Sequence, residues 1–116
     1  MRRLLLLIAV AAVLVSPAAA QAKTYYGTVG PTRTITLKRP DGTLVRRVPR
    51  GFHTFVIRDR SARHDFHLSG GGIHKLTGLS FVGQRTWRGL RIRAGVTYTY
   101  WCQPHANVMT RTFRGV

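Results

Sequence analysis

The feature that most constrains the fold is a succession of short β-type runs, each bounded by turn-forming residues. β-Branched and aromatic residues recur in short runs, and Gly, Pro and Asp interrupt them at near-regular intervals. Beyond the apolar N-terminal segment, no long stretch carries an amphipathic helical stripe. The pattern therefore predicts an all-β Greek-key sandwich or barrel that forms a single domain.

Individual strands can be placed from this pattern. Strands are predicted at 34–37, 43–48, 53–57, 64–68, 79–82, 96–102 and 110–116. In 86–93 the apolar positions change parity across Gly89, which predicts a strand with a β-bulge at 88–89. The glycines at 70–72 are expected to open a loop that runs to Thr77, and 21–24 is expected to be a loose lead-in.

The N-terminus has the pattern of a secretory signal. A short basic start precedes an uninterrupted apolar run over 4–15, and small residues follow up to Ala20. The run is too short to cross a bilayer, which needs about 20 apolar residues. We expect cleavage after Ala20 or Ala22, with 1–20 as the signal and 25–116 as the folded domain. The product would then be exported to a periplasmic, extracellular or cell-surface location.

Residues with metal-binding chemistry are concentrated near the C-terminus. Cys102, His105 and Met109 place a thiol, an imidazole and a thioether within eight residues. Cys102 is the single cysteine of the chain, so it cannot form an internal disulfide and is a free thiol, an intermolecular link or a ligand. A thiolate with two imidazoles and a distant axial Met is the ligand set of a blue-copper centre.

A second imidazole has to come from elsewhere in the chain, and His64 is the best candidate. In the predicted strand 64–68, alternation places His64, Phe66 and Leu68 on one apolar face. Asp65 and His67 would then point to the opposite face.

These motifs together resemble the cupredoxins, the small plastocyanin- and azurin-like copper-binding domains of exported bacterial proteins. The likeness covers essentially the whole predicted mature chain. The segments that carry it are His64-Asp-Phe-His-Leu68, Gly70-Gly-Gly72, Gly95-Val-Thr-Tyr-Thr-Tyr-Trp-Cys102 and Gln103-Pro-His-Ala106, followed by Met109. The resemblance implies one type 1 copper ion held by His64, Cys102, His105 and, axially, Met109. It also implies an electron carrier that cycles between Cu(II) and Cu(I), with His105 nearest the surface and Ala106 and Val108 in the patch around it.

Two residues beside these ligands depart from the pattern of the family. Asp65 stands where the family usually has Asn, and Gln103 stands where many relatives have Asp. We predict that Asp65 and Gln103 hydrogen-bond across the site as a brace for the ligands. His67 and His74 are expected to be solvated or supporting residues, with a second metal site as the alternative.

The charge of the chain bears on its partners. The sequence has 116 residues with 19 Lys and Arg against three acidic residues, a formal net charge of +16. So few carboxylates argue against a paired-carboxylate hydrolase, and we predict that the chain is not an enzyme. The positive field favours an acidic redox partner or an anionic cell-envelope surface, although a compositional bias toward arginine explains it equally well.

Three further expectations complete the interpretation. We expect no nucleic-acid partner, because the signal predicts export and no reading motif is present. We expect a monomer. The alternative to electron transfer is a module that sequesters or delivers copper in the envelope, or an adhesion domain on the same fold.

Overall fold

The protein is described by a computed structural model that covers residues 7–13 and 21–116. Segments 1–6 and 14–20 hold much of the predicted signal, including its end at Ala20, so this prediction falls largely outside the described residues. Within the described residues, no helix is long and apolar enough to cross a membrane.

The described part of the chain folds into nine strands and one 3₁₀ turn. The strands are β1 (Thr24–Val29), β2 (Ile35–Lys38), β3 (Arg47–Val48), β4 (Gly51–Asp59), β5 (His67–Gly70), β6 (Ile73–Leu76), β7 (Gly83–Ile92), β8 (Thr97–Trp101) and β9 (Thr110–Gly115). One sheet has the order β2-β1-β4-β7 and the other β3-β9-β8-β5-β6. The pairs β1–β4 and β3–β9 are parallel, and the other pairs are antiparallel. The predicted all-β sandwich is confirmed.

The core between the sheets is rich in aromatic rings. Inward residues alternate with outward ones along the strands, as expected for a sandwich with one buried face per sheet. The largest buried rings are those of Tyr25, Phe55, Phe66, Tyr98, Tyr100 and Phe113. Phe66 stacks on Tyr100 with centroids 5.5 Å apart, which packs the segment before β5 against β8.

The predicted bulge in β7 is confirmed. His53 of β4 pairs with Leu90 and Phe55 pairs with Trp87, so the two residues 88–89 lie opposite one residue of β4. Gly89 has a φ of +67°, a left-handed conformation that glycine adopts without steric cost. Because of the extra residue, Trp87 and Leu90 both face the core.

The predictions for 21–24 and 70–77 were incomplete. Thr24 already belongs to β1, an unpredicted strand that lies between β2 and β4 at the centre of its sheet. The predicted glycine loop is a β-hairpin in which Gly70 pairs with Ile73. Gly71 and Gly72 both have positive φ, as a tight two-residue hairpin turn requires, so the glycines serve strand pairing rather than a long loop.

Three other strand predictions need correction. The segment 64–66 is irregular and β5 begins only at His67. Within 43–48, only Arg47–Val48 forms a strand, while Leu44 makes an isolated bridge to Lys38. The segment 79–82 contains a turn at 79–80 and no strand, and the side chains of Leu79 and Val82 are exposed, so its β-type residues neither pair with a strand nor pack in the core.

A buried hydrogen-bond chain fixes the irregular segment 64–66. The Asp59 carboxylate accepts hydrogen bonds from the Ser61 backbone N–H at 3.2 Å and the Thr77 hydroxyl at 3.1 Å. The Thr77 hydroxyl in turn accepts the backbone N–H of Phe66 at 2.9 Å. Burial raises the pKa of Asp59, and the hydrogen bonds from Ser61 and Thr77 oppose part of that rise. This series of hydrogen bonds joins the end of β4 to the residues that precede β5.

The raised pKa of Asp59 makes stability depend on pH in a defined direction. The folded state holds the Asp59 proton more tightly than the unfolded state does. The stabilisation from the protonated carboxyl is therefore complete below the unfolded pKa of about 3.9, and it declines as pH rises through the raised folded pKa. Asp59→Asn cannot titrate. We expect the free energy of unfolding of the wild type, minus that of Asp59→Asn, to fall as pH rises from about 3 to about 7. Urea unfolding of both proteins across this range measures the difference, and a constant or rising difference contradicts the prediction.

Candidate metal centre

The segment after β8 forms a compact loop that carries three of the predicted ligands. Cys102 follows the last residue of β8, and a 3₁₀ turn over Gln103–His105 begins directly after it, with Pro104 in its first positions. The Cys102 N–H donates to the carbonyl of Met109 at 3.0 Å, and the Met109 N–H donates to the carbonyl of His105 at 2.8 Å. These bonds close the loop, so Cys102, which follows β8, and Met109, which precedes β9, lie side by side.

The fourth predicted ligand comes from the irregular segment between β4 and β5. His64 is buried, and its Nε2 lies 3.2 Å from the Pro31 carbonyl oxygen. Because a carbonyl can only accept, Nε2 carries the proton and Nδ1 keeps its free lone pair. Gly30, which has a φ of +71°, lies against the ring, and a Cβ there would come within 3.0 Å of the His64 Cδ2. The Gly30–Pro31 loop therefore sets both the tautomer and the position of the imidazole.

The structure brings His64, Cys102 and His105 together at one end of the sandwich. Their donor atoms all lie within 4.8 Å of one another. The Cys102 Sγ is 3.6 Å from the Nδ1 of His64 and 3.6 Å from the Nδ1 of His105. Two residues separated by 38 positions in the chain thus meet at Sγ, while the His105 ring is half-buried and the most accessible of the three.

This arrangement fits a metal ion. Two donors bound to one ion at about 2.0–2.3 Å, with angles between tetrahedral and trigonal, lie about 3.3–3.8 Å apart. The Sγ to Nδ1 separations of 3.6 Å fall within that range. One thiolate and two imidazoles are a donor set that suits copper. His64, Cys102 and His105 therefore fit a copper site.

The electrostatics of the site favour neutral ligands before a metal binds. Burial raises the pKa of the Cys102 thiol, and hydrogen bonds from the backbone of Asp65 and His105 oppose part of this rise. Partial desolvation lowers the pKa of His105, and electrostatic interactions with His64 and with the Arg33 guanidinium lower it further. A metal ion therefore meets an imidazole that is ready to coordinate, but it must displace the thiol proton.

Asp65 links the two ligand segments. Its Oδ1 accepts the backbone N–H of Gln103 at 2.7 Å, and its Oδ2 accepts from the Nε2 of His67 at 2.7 Å. The predicted contact between Asp65 and Gln103 exists, but the backbone of Gln103 donates instead of its side chain. The Gln103 side chain accepts from the Trp101 indole N–H. The Asp65 carboxylate is buried, and its bond to His67 agrees with the expectation that these two side chains share a face.

Met109 is buried directly below the loop. Its backbone is held against Cys102 and His105 by the two hydrogen bonds that close the loop. Its role as an axial ligand stays a prediction.

His67 and His74 lie on the outer face of the second sheet and do not join this group. Trp101 faces away from Cys102, as the alternation predicts, and stacks on His67 with ring centroids 4.9 Å apart. His74 lies beyond them, 6.0 Å from His67 between centroids. The three rings form an aromatic layer over β5, β6 and β8, which agrees with a supporting role for His67.

The sequence interpretation missed residues that position His64. These are Gly30 and Pro31, which contact its ring, and Asp59 and Thr77, which hold the segment that carries it. A Gly-Pro pair signals a turn, but nothing local indicates which histidine that turn will contact.

Comparisons with known proteins give limited information. No family model matches the chain, and no curated protein does either. Among solved structures, the chain is similar to a glycine-for-proline mutant of amicyanin in its reduced Cu(I) form at pH 4. The identity is 20%, the match covers 85% of this chain and 86% of that chain, and the TM-score is 0.39. At this TM-score the likeness carries no argument, and the site rests on its own geometry.

The link through Asp65 can be tested with a pair of variants. Asp65→Ala removes the acceptor of the Gln103 N–H and should lower the free energy of unfolding by about 1–3 kcal/mol. Because the linked segments carry the ligands, it should also weaken Cu(II) binding by about 10- to 100-fold. The matched control is Gln103→Ala, which keeps the backbone donor and should change both quantities little.

Chemical unfolding and competitive Cu(II) titration measure these two effects. If Gln103→Ala costs as much as Asp65→Ala, the side chain of Gln103 is the true donor and the assignment is wrong.

Proposed function

We propose that this protein is a type 1 copper protein that carries single electrons in an exported location. The observation that carries the proposal is the convergence of His64 and His105 on the Sγ of Cys102. The sequence resemblance to the cupredoxins and the two-sheet sandwich of the chain support it. When bound, copper would supply a one-electron couple between Cu(II) and Cu(I).

The residues of the chain would hold that ion in a constrained environment. Cys102 would bind through its thiolate, and His64 and His105 would bind through Nδ1. The Pro31 carbonyl fixes the His64 ring from the opposite edge. The short hydrogen bond from the Gln103 backbone N–H to the Asp65 carboxylate holds the segment that carries His64 at a fixed distance from the loop that carries Cys102. Such a site limits rearrangement of the ligands, which favours rapid electron transfer.

Burial would exclude water from most of the site while leaving one edge accessible. Cys102 and Met109 are buried, and Met109 is proposed as the axial ligand. His105 is the half-buried ligand, and Val108 beside it in the loop is 59% exposed. We propose His105 as the path by which electrons enter and leave, with an acidic protein as the redox partner. The carrier role, rather than an enzymatic one, is part of the proposal.

Copper loading tests the proposal. The full predicted domain with Cu(II) should bind one ion, become intensely blue through the Cys102 thiolate and lose and regain its colour reversibly with reductant and oxidant. Cys102→Ser should lose the colour while remaining folded. The matched control His74→Ala removes an exposed imidazole outside the group and should stay blue.

The alternative of copper sequestration predicts a different result. Colourless Cu(II) binding that survives Cys102→Ser, and that is lost in His67→Ala or His74→Ala, would place the ion on the outer face and overturn the electron-carrier proposal. Visible absorption, electron paramagnetic resonance and a bound-copper assay distinguish the two.

A further inference from the structure

A cavity of about 230 Å³ opens beside the candidate metal centre. It lies between the loop that follows β1, the turn that precedes His64 and the ligand loop. Its walls are formed by Pro31, Thr32, Arg33, Arg63, His64 and His105. The cavity is therefore lined by two arginines and by two candidate ligands.

The two arginines have no internal counter-charge. The chain has three acidic residues. Asp59 and Asp65 are buried and hydrogen-bonded inward, and Asp41 bonds Thr43 in the turn after β2. Among the described residues, the single ion pair joins His67 to Asp65 and involves no arginine. The guanidinium groups at the cavity thus keep their full positive charge and their donor capacity.

His105 adds a third donor from the same side. Its Nδ1 faces the Cys102 Sγ, where it can accept from the thiol S–H or bind a metal, and in either case the ring proton is on Nε2. No described residue hydrogen-bonds that Nε2. Arg33 and His105 line the same cavity, and the charge of Arg33 contributes to the lowered pKa of His105. His64 contributes no donor, because its Nε2 is already bonded to the Pro31 carbonyl.

We propose that this cavity binds a small oxyanion, a carboxylate or phosphate group, through Arg33, Arg63 and the Nε2–H of His105. Planar guanidinium groups bind such oxygens with paired, charge-assisted hydrogen bonds. The oxyanion can be a free inorganic anion or a carboxylate on an acidic partner protein. A second consequence rests on the proposed copper function: an anion on Nε2–H strengthens the Nδ1 donor and favours Cu(II), which lowers the reduction potential.

The anion site is tested on the full predicted domain without added metal, so that the result does not depend on copper. Inorganic phosphate and acetate are titrated at constant ionic strength while the ring signals of His105 and the guanidinium signals are followed by NMR. Replacement of both Arg33 and Arg63 by Gln should weaken phosphate binding about tenfold or more. The charge-matched control Arg114→Gln lies near the end of β9, where it pairs with Thr97 at the end of β8 remote from Cys102, and should weaken binding less than about twofold.

A hexaglutamate peptide forms the second arm. Saturable phosphate binding that needs both arginines supports a free anion as the ligand. If the peptide binds and phosphate does not, and if peptide binding also needs both arginines, the ligand is a carboxylate on a partner protein. If neither probe binds, or if Arg114→Gln weakens binding as much as the double variant, the proposal is overturned. Should the double Gln variant unfold, Arg33→Lys and Arg63→Lys keep the charge but lose the paired geometry, and they should still weaken binding severalfold.

The consequence for copper is measured separately. In the copper-loaded protein, saturating phosphate should lower the midpoint potential of the wild type and leave that of the double Gln variant unchanged. An unchanged wild-type potential overturns the link to the metal, whereas the NMR titration decides the anion site by itself. Failure of copper to bind Cys102 would count against the proposed function and not against anion binding.

Discussion

The hydrogen bond from the Gln103 backbone to the buried Asp65 carboxylate is the contact on which the candidate site depends. It joins the segment that carries His64 to the loop that carries Cys102 and His105. These segments belong to distant parts of the chain, and loops tolerate movement unless they are tied. A carboxylate acceptor gives a strong bond, and its burial keeps water from competing for the Gln103 N–H. The distance between the Sγ of Cys102 and the Nδ1 of His64 follows from this link.

The sandwich provides the rigid base for that link. The two sheets pack against each other through the aromatic core. The hydrogen bonds that link Asp59, Thr77 and Phe66 connect the end of β4 to the residues before β5. The site thus lies in loops whose ends are held by paired strands and buried hydrogen bonds. The small number of carboxylates also explains the positive surface, because the side chains of Asp59 and Asp65 are buried and no arginine of the described residues forms an ion pair.

Local pattern predicted much of the structure. The bulge in β7 follows from a parity change that only one extra residue can accommodate. The spacing of Cys102 and His105 predicts that the two side chains converge. A strand that ends before Cys102 and turns at once places His105, three residues later, on the same side of the turn. Predictions failed where pairing depends on a distant neighbour. The residues at 79–82 have strand character but pair with no strand, whereas β1 pairs in parallel with β4, in which Thr24 lies opposite Thr54.

The sequence by itself determined the all-β class, the spacing of the candidate ligands Cys102, His105 and Met109 and the excess of positive charge, because each is set by residue type and short-range spacing. Tertiary structure decided which N–H reaches Asp65, which carbonyl fixes the His64 ring and which arginines surround the cavity. These contacts join residues about 30 or more positions apart, and their geometry depends on how the two sheets pack, which periodicity along one strand does not encode.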